Sequence, residues 1–336
     1  MTDKTHSSDR SHQNAAHGRG VTIAEDYDVW LHWLVNDVCN LSCSYCNSDH
    51  RLKKYKPKAL IDTKALIRTL RQTNKIFHIS FSGGGEPFLV PNIIDACAAL
   101  TERHYISLIT NLTSKRIRKF SQTINPSRVK SVLASAHIDE LERLGLLKTY
   151  IENFQLCRDS GFNITACEVA YPSFADKASR YRDLLGENGI DLTFDPFCGM
   201  YNGKNYPDAY TDQELHNFGL DAEKDLLKFQ QHGNLCNAGY NTGLVWPDGT
   251  IHFCYQIKKE IGNIYQKIHF REQLIRCPFH FCACPLNFYD PYLFHKARQT
   301  TQKVNNPIFI AGQERIKNSI RQLRNKYFLF QRLFTL

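Results

Sequence analysis

The sequence predicts an α/β protein: a partial (β/α)6 barrel followed by a small C-terminal module of a β-hairpin and a helix. Three observations carry that prediction. Between residues 29 and 197, short β-branched or aromatic runs alternate with longer helical patterns, the rhythm of βα units around a parallel sheet. Cysteine- and glycine-rich motifs stand directly after these runs, and barrel chemistry collects at the C-terminal ends of strands. Beyond residue 230 the rhythm changes to two strand-like runs around Pro247-Asp248-Gly249, a hairpin signature with cysteines on both sides.

The runs place strands at Val29–Asn36, Ile76–Phe81, Tyr105–Thr110, Val129–Ala136, Asn163–Ala170 and Asp191–Phe197. Helices are expected between them at Asp62–Thr73, Pro91–Arg103, Ser114–Ser121, Leu147–Ser160 and Phe174–Asn188. Asp62 and Ser114 suit N-caps, Pro91 suits a first helical turn, and Gly161 and Gly189 stand where C-terminal caps belong. Six βα repeats are too few for a closed eight-stranded barrel, so the barrel is expected to be partial. The organisation reads as a disordered polar tail (1–26), the barrel (27–200), a linker or lid (201–230), the cysteine-rich module (231–290) and a basic helical tail (291–336).

Composition narrows the class. A chain of 336 residues with 42% hydrophobic and 22% charged residues can bury a sizeable core as a soluble globular protein. The N-terminal stretch is polar and His-rich rather than a signal peptide, so twelve cysteines favour metal or cluster ligation in a reducing cytoplasm over disulfides. The net charge of +9 owes much to six basic residues between Arg315 and Arg332, which leaves little support for nucleic-acid binding. In that tail Ile316, Ile320, Leu323 and Tyr327 recur at helical spacing before the apolar end Tyr327-Phe328-Leu329-Phe330. A packed helix and peripheral membrane contact are both open readings of it.

The most specific motif is Cys39-Asn40-Leu41-Ser42-Cys43-Ser44-Tyr45-Cys46, directly after the first expected strand. It offers three thiols on one short loop, whereas a closed zinc site takes four ligands and cubane clusters are normally held by four cysteines. Three thiolates leave one iron open. This arrangement resembles the radical SAM superfamily. The resemblance implies a 4Fe–4S cluster on Cys39, Cys43 and Cys46, S-adenosylmethionine chelated at the open iron, and Tyr45 against its adenine. Gly83-Gly84-Gly85-Glu86-Pro87 follows the second strand, and consecutive glycines let backbone approach a ligand closely. In the family such a segment contacts the amino group of S-adenosylmethionine, which implies that role for Gly83, Gly84, Gly85 and Glu86. The third strand ends Thr110-Asn111-Leu112, with Leu112 where the family often has Gly, and Asn111 is a candidate cofactor contact. Ser135, ending the fourth strand, is a candidate for the ribose or carboxylate of the cofactor, and His137 either points away or turns into the site.

Glu168 interrupts an apolar strand and is costly to bury without a partner. It is expected to face the barrel lumen, with Cys167 and Val169 packing outward. Glu168 and Asp195 are the candidate catalytic groups, with Asp139 also conceivable as a base. Four further cysteines, Cys97, Cys157, Cys167 and Cys198, read as small buried hydrophobes.

Cys236 is followed by twelve residues, Gly249, four residues and Cys254, and the hairpin between them brings the two cysteines together. Cys277, Cys282 and Cys284 return more thiols downstream. This pattern resembles the twitch or truncated SPASM extension of radical SAM enzymes. It implies one auxiliary 4Fe–4S cluster on Cys236, Cys254 and two of the last three, beside the barrel mouth. The functional expectation is hydrogen abstraction from a small molecule, sugar or glycan precursor, or peptide, with an electron donor such as flavodoxin or ferredoxin. The alternative is a non-catalytic metal-binding scaffold with a zinc ribbon, which the same hairpin and cysteines would also suit.

Overall fold

All six expected strands are present in the computed structural model, which describes residues 27–46, 60–82, 84–226, 231–282 and 293. They are β1 (Val29–Leu34), β2 (Phe77–Ser82), β3 (Tyr105–Thr110), β4 (Val129–Ser135), β5 (Ile164–Ala170) and β6 (Leu192–Pro196). They lie in chain order, each parallel to the next. The crossovers carry α1 (Thr63–Gln72), α2 (Ile93–Thr101), α3 (Ile117–Thr123), α4 (Ile138–Arg143), α5 (Leu147–Asp159) and α6 (Ala178–Gly186). Helix ends follow their local chemistry. The Asp62 carboxylate accepts the Ala65 N–H and starts α1. Gly161 and Gly189, at φ 85° and 67°, end α5 and α6 in the left-handed conformation expected of C-terminal caps. Ser114 caps a turn rather than the helix itself: its hydroxyl accepts the Arg116 N–H, and α3 begins at Ile117. No periodicity signals α4, whose six residues are too few to display one.

The stretch expected as linker or lid folds into a small hairpin, β7 (Gly199–Tyr201) with β8 (Lys204–Tyr206), followed by α7 (Asp212–Phe218). A capping box between Thr211 and Glu214 opens α7. The cysteine-rich region contributes β9 (Leu235–Cys236), β10 (Thr242–Val245), β11 (Thr250–His252), β12 (Glu260–Asn263) and β13 (Ile275–Arg276). The β10–β11 hairpin forms around Pro247-Asp248-Gly249, and β10 pairs in parallel with β1. The barrel sheet therefore continues through it, in the order β12-β11-β10-β1-β2-β3-β4-β5-β6.

Alternation along each strand divides the sheet into two faces. Leu31, Trp33, Phe77, Ile79, Phe81, Ile106 and Leu108 share one face and pack with Leu66, Leu70, Ile93 and Phe120 of the helices in one apolar core. The opposite, concave face carries a polar row: His32, Ser80, Ser107 and Ser131 stand on successive strands in register. His78 Nε2 lies 2.7 Å from Ser107 Oγ, to which the Ser131 hydroxyl donates at 3.1 Å. Among the described residues no helix is long and apolar enough to cross a membrane.

His32 is 3% exposed, and burial lowers its pKa to about 4. The unfolded chain, with an ordinary histidine, binds the extra proton between about pH 4 and 6.5, so His32 makes stability rise with pH across that window and fall on acidification. At pH 5 the loss relative to pH 7 is about 2 kcal/mol. Urea denaturation of the metal-free chain at the two pH values should show it, and His32→Gln should remove about that much of the difference.

Candidate functional site

The cysteine loop leaves the C-terminal end of β1 and is held from both sides. On one side, the Glu86 N–H donates to Val38 O at 2.8 Å and Asn36 Nδ2 donates to Glu86 O at 2.9 Å, so the glycine-rich turn after β2 is stapled to the loop's first residues. Asn111, at the end of β3, donates through Nδ2 to Asn40 Oδ1 at 3.0 Å and approaches Cys39 Sγ at 3.8 Å. On the other side, the Ser42 N–H donates to Glu140 Oε1 of α4 at 2.8 Å. The Tyr45 hydroxyl donates to Glu168 Oε1 at 2.7 Å and lies 2.9 Å from His137 Nδ1. Within the loop, the Leu41 N–H points at Cys39 Sγ at 3.4 Å and the Cys46 N–H donates to Cys43 O at 3.1 Å.

This bracing presents the thiols outward. Cys39 and Cys46 are exposed and Cys43 is half-buried. Burial, then the neighbouring Cys46, Glu140 and Glu168, pushes the Cys43 thiol up to about 12, and burial also raises Cys39. Thiols raised in this way gain by handing their charge to a metal, which deprotonates a coordinating thiol outright.

Residues 33–177 match the family model described as the Radical SAM superfamily. This stretch, under half of the chain, is similar to a radical SAM domain. The sheet agrees with that assignment, being a mixed α/β fold with the parallel strands of a partial barrel. Among solved structures, native anSMEcpe with bound AdoMet is similar at 19% identity and a TM-score of 0.50, over 71% of this chain and 78% of that one. The same protein with bound AdoMet and the Kp18Cys peptide gives 18% identity and a TM-score of 0.50 over the same shares. SuiB of Streptococcus suis is 16% identical at a TM-score of 0.49, over 71% of this chain and 64% of its own. At these identities the likeness is one of fold. No curated protein sequence matches the chain.

The residues expected around a cofactor fall into place unequally. Gly83 lies outside the described residues. Gly84 has φ 108°, a conformation open to glycine. The Glu86 carboxylate is spent inside the protein: it is 3% exposed and accepts from the Phe88 N–H, the Thr110 hydroxyl and the Asn111 N–H. Asn111 is committed in the same way, since its Oδ1 accepts from both the backbone and the hydroxyl of Thr113. Leu112, where the family often has Gly, has φ 53°, so the left-handed turn is made without the glycine. Ser135 stands half-buried beside Cys167 across the β4–β5 ladder, on the concave face.

Glu168 departs from expectation. It shares its face with Ala166 and Ala170, which belong to the apolar core under the helices, while Cys167 and Val169 pair across to Thr193 and Asp195 on the concave face. The expected orientation is therefore reversed. What makes its burial tolerable is neither a cation nor the lumen but three neutral donors: the Tyr45 hydroxyl and the Val169 N–H on Oε1, and the Ile138 N–H on Oε2. Burial still raises its pKa to about 7 against those hydrogen bonds. His137 has turned at the end of β4, at φ 41°, and burial lowers its pKa to about 4, so it meets Tyr45 as a neutral ring. Asp195 is the half-buried carboxylate on the concave face, in register with Val169. Asp139 is held on the outer side by Lys177 at 2.6 Å and by the Tyr181 hydroxyl.

An aromatic shell, missed at the level of sequence, borders the loop. Tyr45 stands 5.3 Å from both Tyr171 and Phe174, and Tyr171 reaches Phe197 at 5.0 Å and Tyr201 of β7 at 4.9 Å. The hairpin in the expected lid segment is thereby packed onto the rim that carries the cysteine loop.

The later cysteines form a second group. Pairing of β9 with β13 sets Cys236 opposite Ile275, and the Cys277 N–H donates to Asn234 O at 2.9 Å. Burial pushes Cys236 up to about 12, with Cys254, Cys277 and Cys282 adding to the rise, so these four thiols share one neighbourhood. Cys284 lies outside the described residues. Among the described residues no three His, Cys, Asp or Glu side chains close around a single point as one metal ion requires. A cubane takes its thiolates at separate corners and needs a wider spread than tetrahedral zinc, whose sulfurs lie only about 2.3 Å from the metal.

The position of this group corrects an expectation. Because β10 runs parallel to β1, with Trp30 opposite Thr242 and Trp33 opposite Val245, the hairpin turn lies toward the strands' C-terminal ends. β11 leads back, so Cys254, after it, and Cys236, before β10, lie toward the N-terminal end of β1. They are not beside the barrel mouth.

Proposed function

We propose that this chain is a radical SAM enzyme that cleaves S-adenosylmethionine and abstracts a hydrogen atom from a small-molecule, glycan-precursor or peptide substrate. The observation that supports it best is the braced loop, with three thiols, two exposed and one half-buried, in one strand-end segment beside the glycine-rich turn. Cys39, Cys43 and Cys46 would hold a 4Fe–4S cluster. Bound there, the cluster would supply the reducing chemistry by which S-adenosylmethionine initiates hydrogen abstraction. The chain's own residues do the rest. Gly84 and Gly85 bring backbone close to the cofactor beside Gly83, and Glu86 and Asn111 fix the turn and the Cys39 end of the loop. Tyr45 walls the loop on its other side, and Ser135 offers a hydroxyl at the concave rim. Asp195 is the better-placed base, because its carboxylate is on the concave face while Glu168 is engaged by three donors. An electron would come from a flavodoxin- or ferredoxin-like donor, in a cytoplasmic setting.

Cys236, Cys254, Cys277 and Cys282 would hold one auxiliary 4Fe–4S cluster in a twitch-like module. Their place toward the N-terminal end of β1 leaves the concave face between the two sets of thiols. Anaerobically reconstituted protein should be brown and hold about eight irons per chain. Cys236→Ala should lose about half of them and keep those of the Cys39 loop. A colourless protein with stoichiometric zinc would contradict the proposal.

A further inference from the structure

The hydrogen bonds around Tyr45 assign Glu168 a role other than acid–base chemistry: we infer that Glu168 is a positioning residue that acts through Tyr45 to hold the Cys43–Cys46 end of the cysteine loop in shape before any metal arrives. The inference rests on the radical SAM reading only in what the loop is for, not in how it is held.

The chemistry of the contact fixes the roles. A phenol has one proton, and Tyr45 gives it to Glu168 Oε1 at 2.7 Å. Its oxygen is then left to accept from His137 Nδ1, 2.9 Å away, so His137 carries its proton on Nδ1. Glu168 also accepts the Val169 N–H at 2.9 Å on the same oxygen and the Ile138 N–H at 2.8 Å on the other. The carboxylate therefore joins three separate pieces of backbone: its own strand β5, the first residue of α4, and the cysteine loop. Ile138 and His137 begin α4, whose Glu140 accepts the Ser42 N–H, so the same short helix grips the loop a second time. Tyr45 is further enclosed by Tyr171 and Phe174 at 5.3 Å. A carboxylate with two accepting oxygens serves three donors, and an amide cannot. Glu168→Gln keeps the shape but turns an N–H₂ toward at least one of them, leaving a buried donor unpaired, which is costly. Tyr45→Phe removes the link and leaves the two backbone donors of Glu168 satisfied.

The test uses alkylation of the metal-free full-length chain by iodoacetamide, with the rate at each cysteine read by mass spectrometry. Half-buried Cys43 reports opening of the loop, and Cys97, fully buried on α2, reports global unfolding. Loss of one buried hydrogen bond of this kind should raise the Cys43 rate roughly tenfold in Glu168→Gln and in Tyr45→Phe. The double variant should raise the rate by less than the two single effects combined, because both changes act on one carboxylate network, and Cys97 should stay protected. An unchanged Cys43 rate in Glu168→Gln, additive effects in the double variant, or a parallel rise at Cys97 would overturn the inference. Failure of the radical SAM reading would show separately, as absence of an iron–sulfur spectrum after reconstitution of the unaltered chain.

Discussion

Gly85→Ala should be among the most damaging single-methyl additions in the protein. A Cβ at Gly85 would stand 2.0 Å from Val38 O and 2.4 Å from Asn36 Oδ1, both far inside any tolerable contact. Neither neighbour is free to yield. Val38 O accepts the Glu86 N–H, and Asn36 donates through Nδ2 to Glu86 O, so the collision falls on the two residues that staple the glycine-rich turn to the cysteine loop. Either the turn or the end of β1 must shift, and Cys39 is the next residue after Val38. The cost should be about 3 kcal/mol or more, lowering Tm by roughly 5–10 °C in a domain of this size. Iron loading at the Cys39 loop should fall with it. Gly186→Ala is the control, because its Cβ would meet nothing within 4 Å and its backbone is ordinary helix. Thermal unfolding beside iron content decides the matter, and a Gly85→Ala protein with unaltered Tm and iron would refute the staple.

The sequence made the barrel legible because its signals are local. Tyr105–Thr110 is found at the expected bounds, and the other five strands differ from theirs by one or two residues at an end, where pairing rather than propensity sets the limit. Asp62, Gly161 and Gly189 cap helices for reasons contained within a few neighbouring residues. The cysteine loop and the glycine-rich turn were legible for the same reason, as short motifs after strands. What the sequence could not display is who meets whom across the fold. Glu168 looked like a lumen carboxylate because a buried acid needs company. Its company is Tyr45, far away in the chain, together with backbone donors at Ile138 and Val169. The hairpin after Cys236 was evident from Pro247-Asp248-Gly249, but its parallel pairing with β1 is long-range, and that pairing sends Cys236 and Cys254 to the other end of the strand. Likewise Glu86 and Asn111 stand out in the sequence only as candidate cofactor contacts, and their mutual hydrogen bond shows that they build the turn.

The other large effect belongs to Cys46. The loop brings three thiols and the braces around it are side chains and backbone, so no spare thiol of the loop can replace one that is lost. Cys46 is exposed at the end next to Tyr45, so Cys46→Ala removes a proposed cluster ligand with little cost to packing. The fold should survive while the chemistry does not. The decisive measurement is therefore 5′-deoxyadenosine formation from S-adenosylmethionine by anaerobically reconstituted, reduced protein, beside Cys46→Ala prepared in the same way. The account predicts formation by the unaltered chain that falls to background in the variant, whose Tm stays near that of the parent. Equal formation by both proteins, or no formation from a chain that binds zinc in place of iron, would contradict it.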